Sequence, residues 1–449
     1  MFNDFTVPPI IKKIAISRAV VYTLGGKVWG ILSGFVTLAL ISHFFSSDYQ
    51  GYYYTFLSLL AFQIFFDLSL STILVNFSAH EWSHLSFNEK KEVYGDTVAL
   101  SRLAHLVRFS FRWYSVLALT FSIIVGIAGY AFLLKKGDPG INWQGPWIAL
   151  VVIAGGQLAI LPHLSTLEGC GQIARVSFIR LMGSVIGSLM FWWGLTFGLG
   201  LWSTVLMFGL SLLVQLWFLT HFYRNYFRSL FKVKVAERIS WRREIFPLQW
   251  RLGVAGVVNY FATAFFTPLM FWYHGAKVAG QMGMGWQIMG AAQAVALTWV
   301  YATTPTFGAL ISKKEYESLD RLFKRVTLIS LGILVLISGI AWMLVNLLFV
   351  ANHSFSTRCM APAPLLLFLL AAICMHVPQC QAAYLRAHKK EPLFVIGLIA
   401  SGLTGGLVWW FGKNFGLAGV GGAYLAVTAL VLMPGVFNIW KTKRDEWHG

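Results

Sequence analysis

The sequence predicts an all-α polytopic membrane protein with about 12 transmembrane helices in two six-helix lobes related by an internal repeat. Three observations lead there. Of 449 residues, 57% are hydrophobic and only 12% charged, and no water-soluble fold hides so much apolar surface with so few charges. Apolar stretches of about 20 residues, the length that crosses a hydrocarbon core, recur from Ala19 to Trp440. A glycine-rich signature in the first half returns in the second.

The spans run 19–41, 52–75, 113–134, 146–166, 176–197, 201–222, 250–273, 281–303, 326–350, 363–384, 393–412 and 416–440. That leaves no room for a separate soluble domain. The chain divides into an N-terminal lobe 1–222, a basic linker 223–249 and a C-terminal lobe 250–449. Span 1 follows Lys12, Lys13 and Arg18, is long, and lacks a small-residue cleavage site, so it reads as a retained helix. Gly26, Gly30 and Gly34 give it a small-residue packing seam. Gly183/Gly187 in span 5, and Ser401/Gly405 with Gly402/Gly406 in span 11, read the same way.

Two charges fall inside spans. Lys27 in span 1 and Asp67 in span 2 each lie about 12 Å from the basic-side end of their helix. A charge near mid-bilayer costs roughly 2.5–3.5 kcal/mol on insertion scales, so each needs a partner, water or a purpose. They can pair with each other, or line a cavity where Lys27 binds substrate and Asp67 couples transport to an ion. Before span 3, Arg102, His105, Arg108 and Arg112 share one helical face of about 120°. That face suits lipid phosphates, including a polyprenyl pyrophosphate, or serves as an ordinary anchor. Arg175, Arg180 and Arg251 at other basic-side helix ends have the same two readings.

Span 4 carries Pro162-His163, and the equivalent span 10 carries His376 and Pro378. Each proline frees a backbone carbonyl, and each histidine could carry a proton for coupling. Pro268 and Pro305 are further breakers in and after spans 7 and 8. Tyr52-Tyr53-Tyr54, and Trp286, Trp299 and Tyr301 in span 8, could present ring faces to sugars.

Of the 35 Lys and Arg, 29 fall in the N-terminal segment, alternate loops and the C-terminus, which places both termini in the cytoplasm of a bacterial inner membrane. The net charge of +18 is therefore a record of topology and no pointer to nucleic acid. Cys170, Cys359, Cys374 and Cys380 lack metal-ligand spacing, and neither a metal nor a cofactor is expected. The outer loops hold only two carboxylates, Asp48 and Asp138, too few for a glycosyltransferase or polymerase working on that face. No catalytic residue is assigned.

The repeat is read by aligning 187–199 with 405–417. Seven of thirteen positions agree: Gly187/Gly405, Leu189/Leu407, Trp192/Trp410, Gly194/Gly412, Phe197/Phe415, Gly198/Gly416 and Leu199/Leu417. Spans 5 and 11 thus end in the same tight glycine hairpin. A duplicated six-plus-six bundle with small loops is the layout of a secondary transporter. The Gly-Asp-Arg loop of major-facilitator transporters is absent from 76–112.

Three segments carry a family resemblance: FQIFFDLSLSTILVNFSA in span 2, LEGCGQIARVSFIRLMGSVIGSL between spans 4 and 5, and GAKVAGQMGMGWQI with the following PTFGALISKKEYESLDRLFKR. The chain resembles bacterial O-antigen-type polysaccharide flippases of the multidrug/oligosaccharidyl-lipid/polysaccharide exporter superfamily. The resemblance implies a flippase that moves a lipid-linked oligosaccharide across the membrane by alternating access, with membrane lipid and other polysaccharide-assembly membrane proteins as partners. The basic inner rim and Lys27 would attract the pyrophosphate. Two residues after the span 2 aspartate, where many relatives have glycine, this chain has Ser69. The alternative is a cation-coupled multidrug or metabolite antiporter of the same superfamily, which favours cavity carboxylates, of which Asp67 is the one deep in a span.

Overall fold

The computed structural model describes residues 18–237, 239–388 and 390–448. Lys12, Lys13, Arg238 and Lys389, counted above with the basic-side charges, lie outside them. Among the described residues, eight helical runs are long and apolar enough to cross a membrane, or nine if the bent pair Ser47–Asp67 and Leu70–Trp82 is one span. Three of the runs are double. Gln144–Thr196 holds spans 4 and 5, Gln249–Ser312 spans 7 and 8, and Phe394–His448 spans 11 and 12. Each is interrupted at a glycine in the left-handed region, Gly171 (φ +75°), Gly275 (φ +85°) and Gly416 (φ +59°). Only glycine adopts such backbone without steric cost, so these residues set where the chain turns back. Resolved at those glycines, the runs correspond to about twelve helices.

The internal repeat is visible in the backbone. Gly198 (φ +72°) and Gly416 (φ +59°), paired by the alignment, both turn the chain. Their partners Gly194 and Gly412 both admit the returning helix. A Cβ at Gly194 would lie 2.8 Å from Ser203 Oγ, and one at Gly412 would lie 2.8 Å from Val420 Cγ2.

The chain forms two compact units. One comprises residues 18–37, Phe66–Ile127 and Gln144–Gly253; the other comprises Leu38–Phe65, Ala128–Trp143 and 254–448. The helix Thr97–Lys136, which belongs to the first unit as far as Ile127, has 40 residues, about 60 Å at 1.5 Å each, roughly twice the hydrocarbon thickness. Its early turns therefore extend beyond the bilayer on the side of the basic loops. There they pack into a small cap. Strands β1 (Leu85–Phe87) and β2 (Val93–Gly95) pair antiparallel, and the helix Arg224–Lys232 buries Tyr226 and Leu230. These share one apolar core with Leu103, Leu167, Cys170 and Tyr223.

In the second unit, the first half of span 2 (Ser47–Leu60) packs along span 8 through glycines. A Cβ at Gly51 would meet Ala276 O at 1.9 Å, one at Gly280 would lie 3.0 Å from Gly51 N, and one at Gly283 would lie 2.2 Å from the Tyr54 ring. Gln50 Nε2 donates to Gly280 O at 3.0 Å, and Tyr54 Oη donates to Gln287 Oε1 at 2.6 Å. Arg358 donates to Phe45 O, and the Asp138 N–H donates to Tyr52 Oη at 2.7 Å. Tyr52, Tyr53 and Tyr54 are all buried in this seam, which corrects their reading as sugar-facing rings. Trp286 packs its ring against Phe266 and Tyr424, whereas Trp299 and Tyr301 are exposed.

Candidate functional site

Span 2 is broken at its only deep carboxylate. The helix ends at Asp67, Leu68 and Ser69 take left-handed φ of +45° and +59°, and a new helix starts at Leu70, bent 47° from the first. For non-glycine residues that conformation costs about 1–2 kcal/mol each. The position demands glycine-like backbone, and Ser69 adopts it at a cost.

Neighbouring groups hold the break open. The Asp67 carboxylate accepts from the backbone N–H of Ser71 (3.3 Å) and from Ser71 Oγ (2.9 Å), so it caps the second half-helix, where a negative charge is favourable. Tyr114, fully buried on span 3, donates its hydroxyl to Asp67 Oδ1 at 2.5 Å, short as expected for a charge-assisted bond. Ser69 Oγ donates to Leu252 O at 3.4 Å, and Gly253 allows close approach, since a Cβ there would lie 3.0 Å from Leu68 Cβ. Phe66 packs edge-on against Phe121. Among the described residues no ion pair reaches Asp67, so its charge is met by hydroxyls and one amide alone.

The other candidate residues are dispersed. Lys27 is exposed on the helix Arg18–Phe44. Arg180 forms a two-pronged bridge to Glu168, at 2.5 and 3.2 Å. Arg108 donates to the carbonyls of Leu230 (2.8 Å) and Val233 (2.5 Å), holding the end of the helix Arg224–Lys232. Arg112 is exposed, and Arg251 lies beside the Trp250 ring. His163 packs between Phe111 and Phe227, and buried His376 shares a 2.8 Å hydrogen bond with Ser330 Oγ. The helices run through Pro162 and Pro378.

Arg102 contributes to the cap instead of facing lipid. Its guanidinium bridges buried Glu81 and Glu244, both at 2.8 Å. The bond to Glu81, then that to Glu244, raises the Arg102 pKa, while the Ser240 N–H leads in lowering that of Glu244. No group of three or more His, Cys, Asp or Glu among the described residues is placed to hold a metal ion.

Sequence reasoning missed Tyr114. It lies 47 residues from Asp67 and looks like any belt tyrosine; the only available signal was its place near the start of the span that follows span 2.

No protein-family model and no curated protein matches the chain. Solved structures do. An inward-facing multidrug-resistance MATE family transporter of the MOP superfamily aligns over 97% of this chain and 96% of its own, with TM-score 0.66 and 14% identity. A MOP superfamily transporter from Pyrococcus furiosus, described as having a binding pocket of reversed polarity, aligns over 96% of both chains, with TM-score 0.59 and 14% identity. A variant of the Vibrio cholerae MATE transporter VcmN aligns over 96% of this chain and 97% of its own, with TM-score 0.57 and 12% identity. At these identities the likeness concerns the fold: this is a polytopic membrane protein with the MATE-like fold of MOP-superfamily transporters.

Proposed function

We propose that the protein is a secondary transporter, a cation- or proton-coupled antiporter exporting multidrug-type or metabolite cargo by alternating access, with Asp67 as the coupling group. The observation that carries this is a carboxylate deep in a broken span, held by Tyr114 and Ser71 and reached by no ion pair among the described residues. Such a group needs a reversible partner, and a proton or a small cation from the gradient is one. A proton removes the charge that caps Leu70–Trp82 and turns one carboxylate oxygen from acceptor to donor, while a small cation offsets that charge and takes up an oxygen lone pair. The contacts from Tyr114 and Ser71 must then rearrange, and the left-handed backbone at Leu68 and Ser69 can relax. His163 and His376 are secondary coupling candidates.

The glycine seam of the second unit supports alternating access. It closes by shape and by hydrogen bonds in which the Arg358 guanidinium meets only a backbone carbonyl, a contact that can separate without breaking an ion pair among the described residues. The excess of basic charge on one side supports an inner membrane with both termini in the cytoplasm.

The second reading is flipping of a polyprenyl-pyrophosphate-linked oligosaccharide, favoured by Lys27 exposed on span 1. It is weakened by the engagement of Arg180 with Glu168 and of Arg108 with two carbonyls, since both were candidates for the pyrophosphate.

The test is reconstitution into liposomes with an imposed proton or sodium gradient and a cationic dye as cargo. Gradient-driven dye movement that is lost in Asp67→Asn supports the antiporter. Gradient-independent movement of a prenyl-pyrophosphate glycan, abolished by Lys27→Ala, would establish the flippase instead.

A further inference from the structure

On the basic side of the first unit, the tip of the β1–β2 hairpin meets the end of span 6 and leaves a cavity of about 370 Å³. Glu89, Lys90, Lys91, His221, Arg224 and Asn225 line it with Phe222, three cations against one carboxylate. The walls are fixed. Lys91, in a left-handed turn (φ +60°), donates Nζ to Phe222 O at 3.2 Å and lies over the Phe222 and Tyr223 rings at 5.2 and 5.1 Å. Asn225 Nδ2 donates to Lys90 O at 3.1 Å, which ties the hairpin tip to the helix Arg224–Lys232. Burial, and then the positive charge of neighbouring Arg175, pull the Lys91 pKa down.

The cavity continues onto a lipid-facing ladder. Leu213 and Trp217 are 58% and 56% exposed on span 6, and His221 follows at the same four-residue spacing. The Trp217 ring stacks on that of His221, with centroids 5.3 Å apart and planes 7° from parallel. A tryptophan at the basic end of a span marks headgroup depth. An acyl chain lying along Leu213 and Trp217 would bring its phosphate to His221, Lys90 and Arg224.

We propose that this cavity is a headgroup site for an anionic phospholipid, with the phosphate taken by Lys90 and Arg224 and the tails running along Leu213 and Trp217. The site is separate from Asp67 and goes beyond the transport reading.

The test is native mass spectrometry of the full-length protein mixed with phosphatidylglycerol or with phosphatidylcholine of the same chains. Wild type should hold one phosphatidylglycerol preferentially. The double variant Lys90→Gln/Arg224→Gln should bind it about thirtyfold more weakly, from about one decade of affinity per 1.4 kcal/mol and roughly 1 kcal/mol per cation at the membrane surface. Only the Lys90 carbonyl serves Asn225, so Lys90→Gln alone keeps the hairpin contact and should show a smaller loss of the same kind. Trp217→Ala should weaken lipid binding without altering displacement by inorganic phosphate. An equal loss in the control pair Lys313→Gln/Lys324→Gln would reduce the effect to general surface charge and overturn the site. Full occupancy by inorganic phosphate with indifference to Trp217→Ala would overturn the lipid as its source.

Discussion

Asp67 in the first unit and Asp320 in the second accept the same bond, a tyrosine hydroxyl, from Tyr114 at 2.5 Å and from Tyr384 at 2.8 Å. They differ in what balances the charge. Asp320 is bridged by Arg444, with nitrogens at 2.7 and 2.8 Å from one carboxylate oxygen, so the helix Tyr316–Val350 is fastened to the helix Met433–His448. Asp67 has Ser71 in that place. A carboxylate with a built-in counter-ion is a fastener; one provided only with dipoles can exchange a mobile charge. The tyrosine does not distinguish the two roles.

The comparison breaks most directly at the carboxylates themselves. Asp67→Asn should bring gradient-driven transport to background while the protein still folds, since an amide replaces the carboxylate in size and can still accept from Tyr114. Asp320→Asn should leave transport within about twofold and cost roughly 1 kcal/mol of stability, a small figure because the bridge is partly exposed. Proteoliposome flux and thermal unfolding of both variants decide this. If Asp320→Asn also abolishes flux, the division of roles is wrong.

Removing the shared tyrosine hydroxyl sharpens it. Tyr114→Phe deletes one bond to Asp67 and should slow transport roughly tenfold, equivalent to about 1.4 kcal/mol. Tyr384→Phe should lower the melting temperature slightly and leave flux unchanged. Equal flux losses in the two variants would mean that the hydroxyl, not the missing counter-ion, defines the site.

The smallest effect is in pH. His388 and His448 approach each other at 3.3 Å beside Asp320 and Arg444, and burial is the leading cause that lowers both pKa values below the ordinary 6.5. The unfolded chain then takes up protons near 6.5 before the folded chain does. The stability these residues contribute is present above 6.5 and lost as pH falls through the folded values. Melting temperatures measured from pH 7.5 down to 5 should fall, and the slope should flatten in His388→Gln/His448→Gln; an unchanged slope would place the acid sensitivity elsewhere.

Much of this was legible in the sequence. Span number followed from hydropathy, because crossing length is fixed by the bilayer. The glycine hairpins followed from the repeat, because Gly198 and Gly416 share a backbone that other residues resist. Asp67 was visible as a charge out of place. Its partner was not, since Tyr114 comes from another helix and carries no distinguishing pattern. The cap was hidden for a different reason: its core draws single residues such as Leu85, Val93 and Tyr226 from loops whose composition reads as basic connection. The basic face at 102–112 was seen as a face, but composition could not tell that Arg102 and Arg108 turn toward Glu81, Glu244 and backbone carbonyls.

The seam at Gly51, Gly280 and Gly283 works because atoms are missing. A lipid-facing leucine can drift among apolar residues over generations with little consequence. At Gly51 a single methyl group would collide with the Ala276 carbonyl. These positions hold no cargo and carry no charge, yet they should be among the slowest in the chain to accept change. In a survey of random variants, intolerance at such glycines would mark mechanical closure, and should not be mistaken for a binding site.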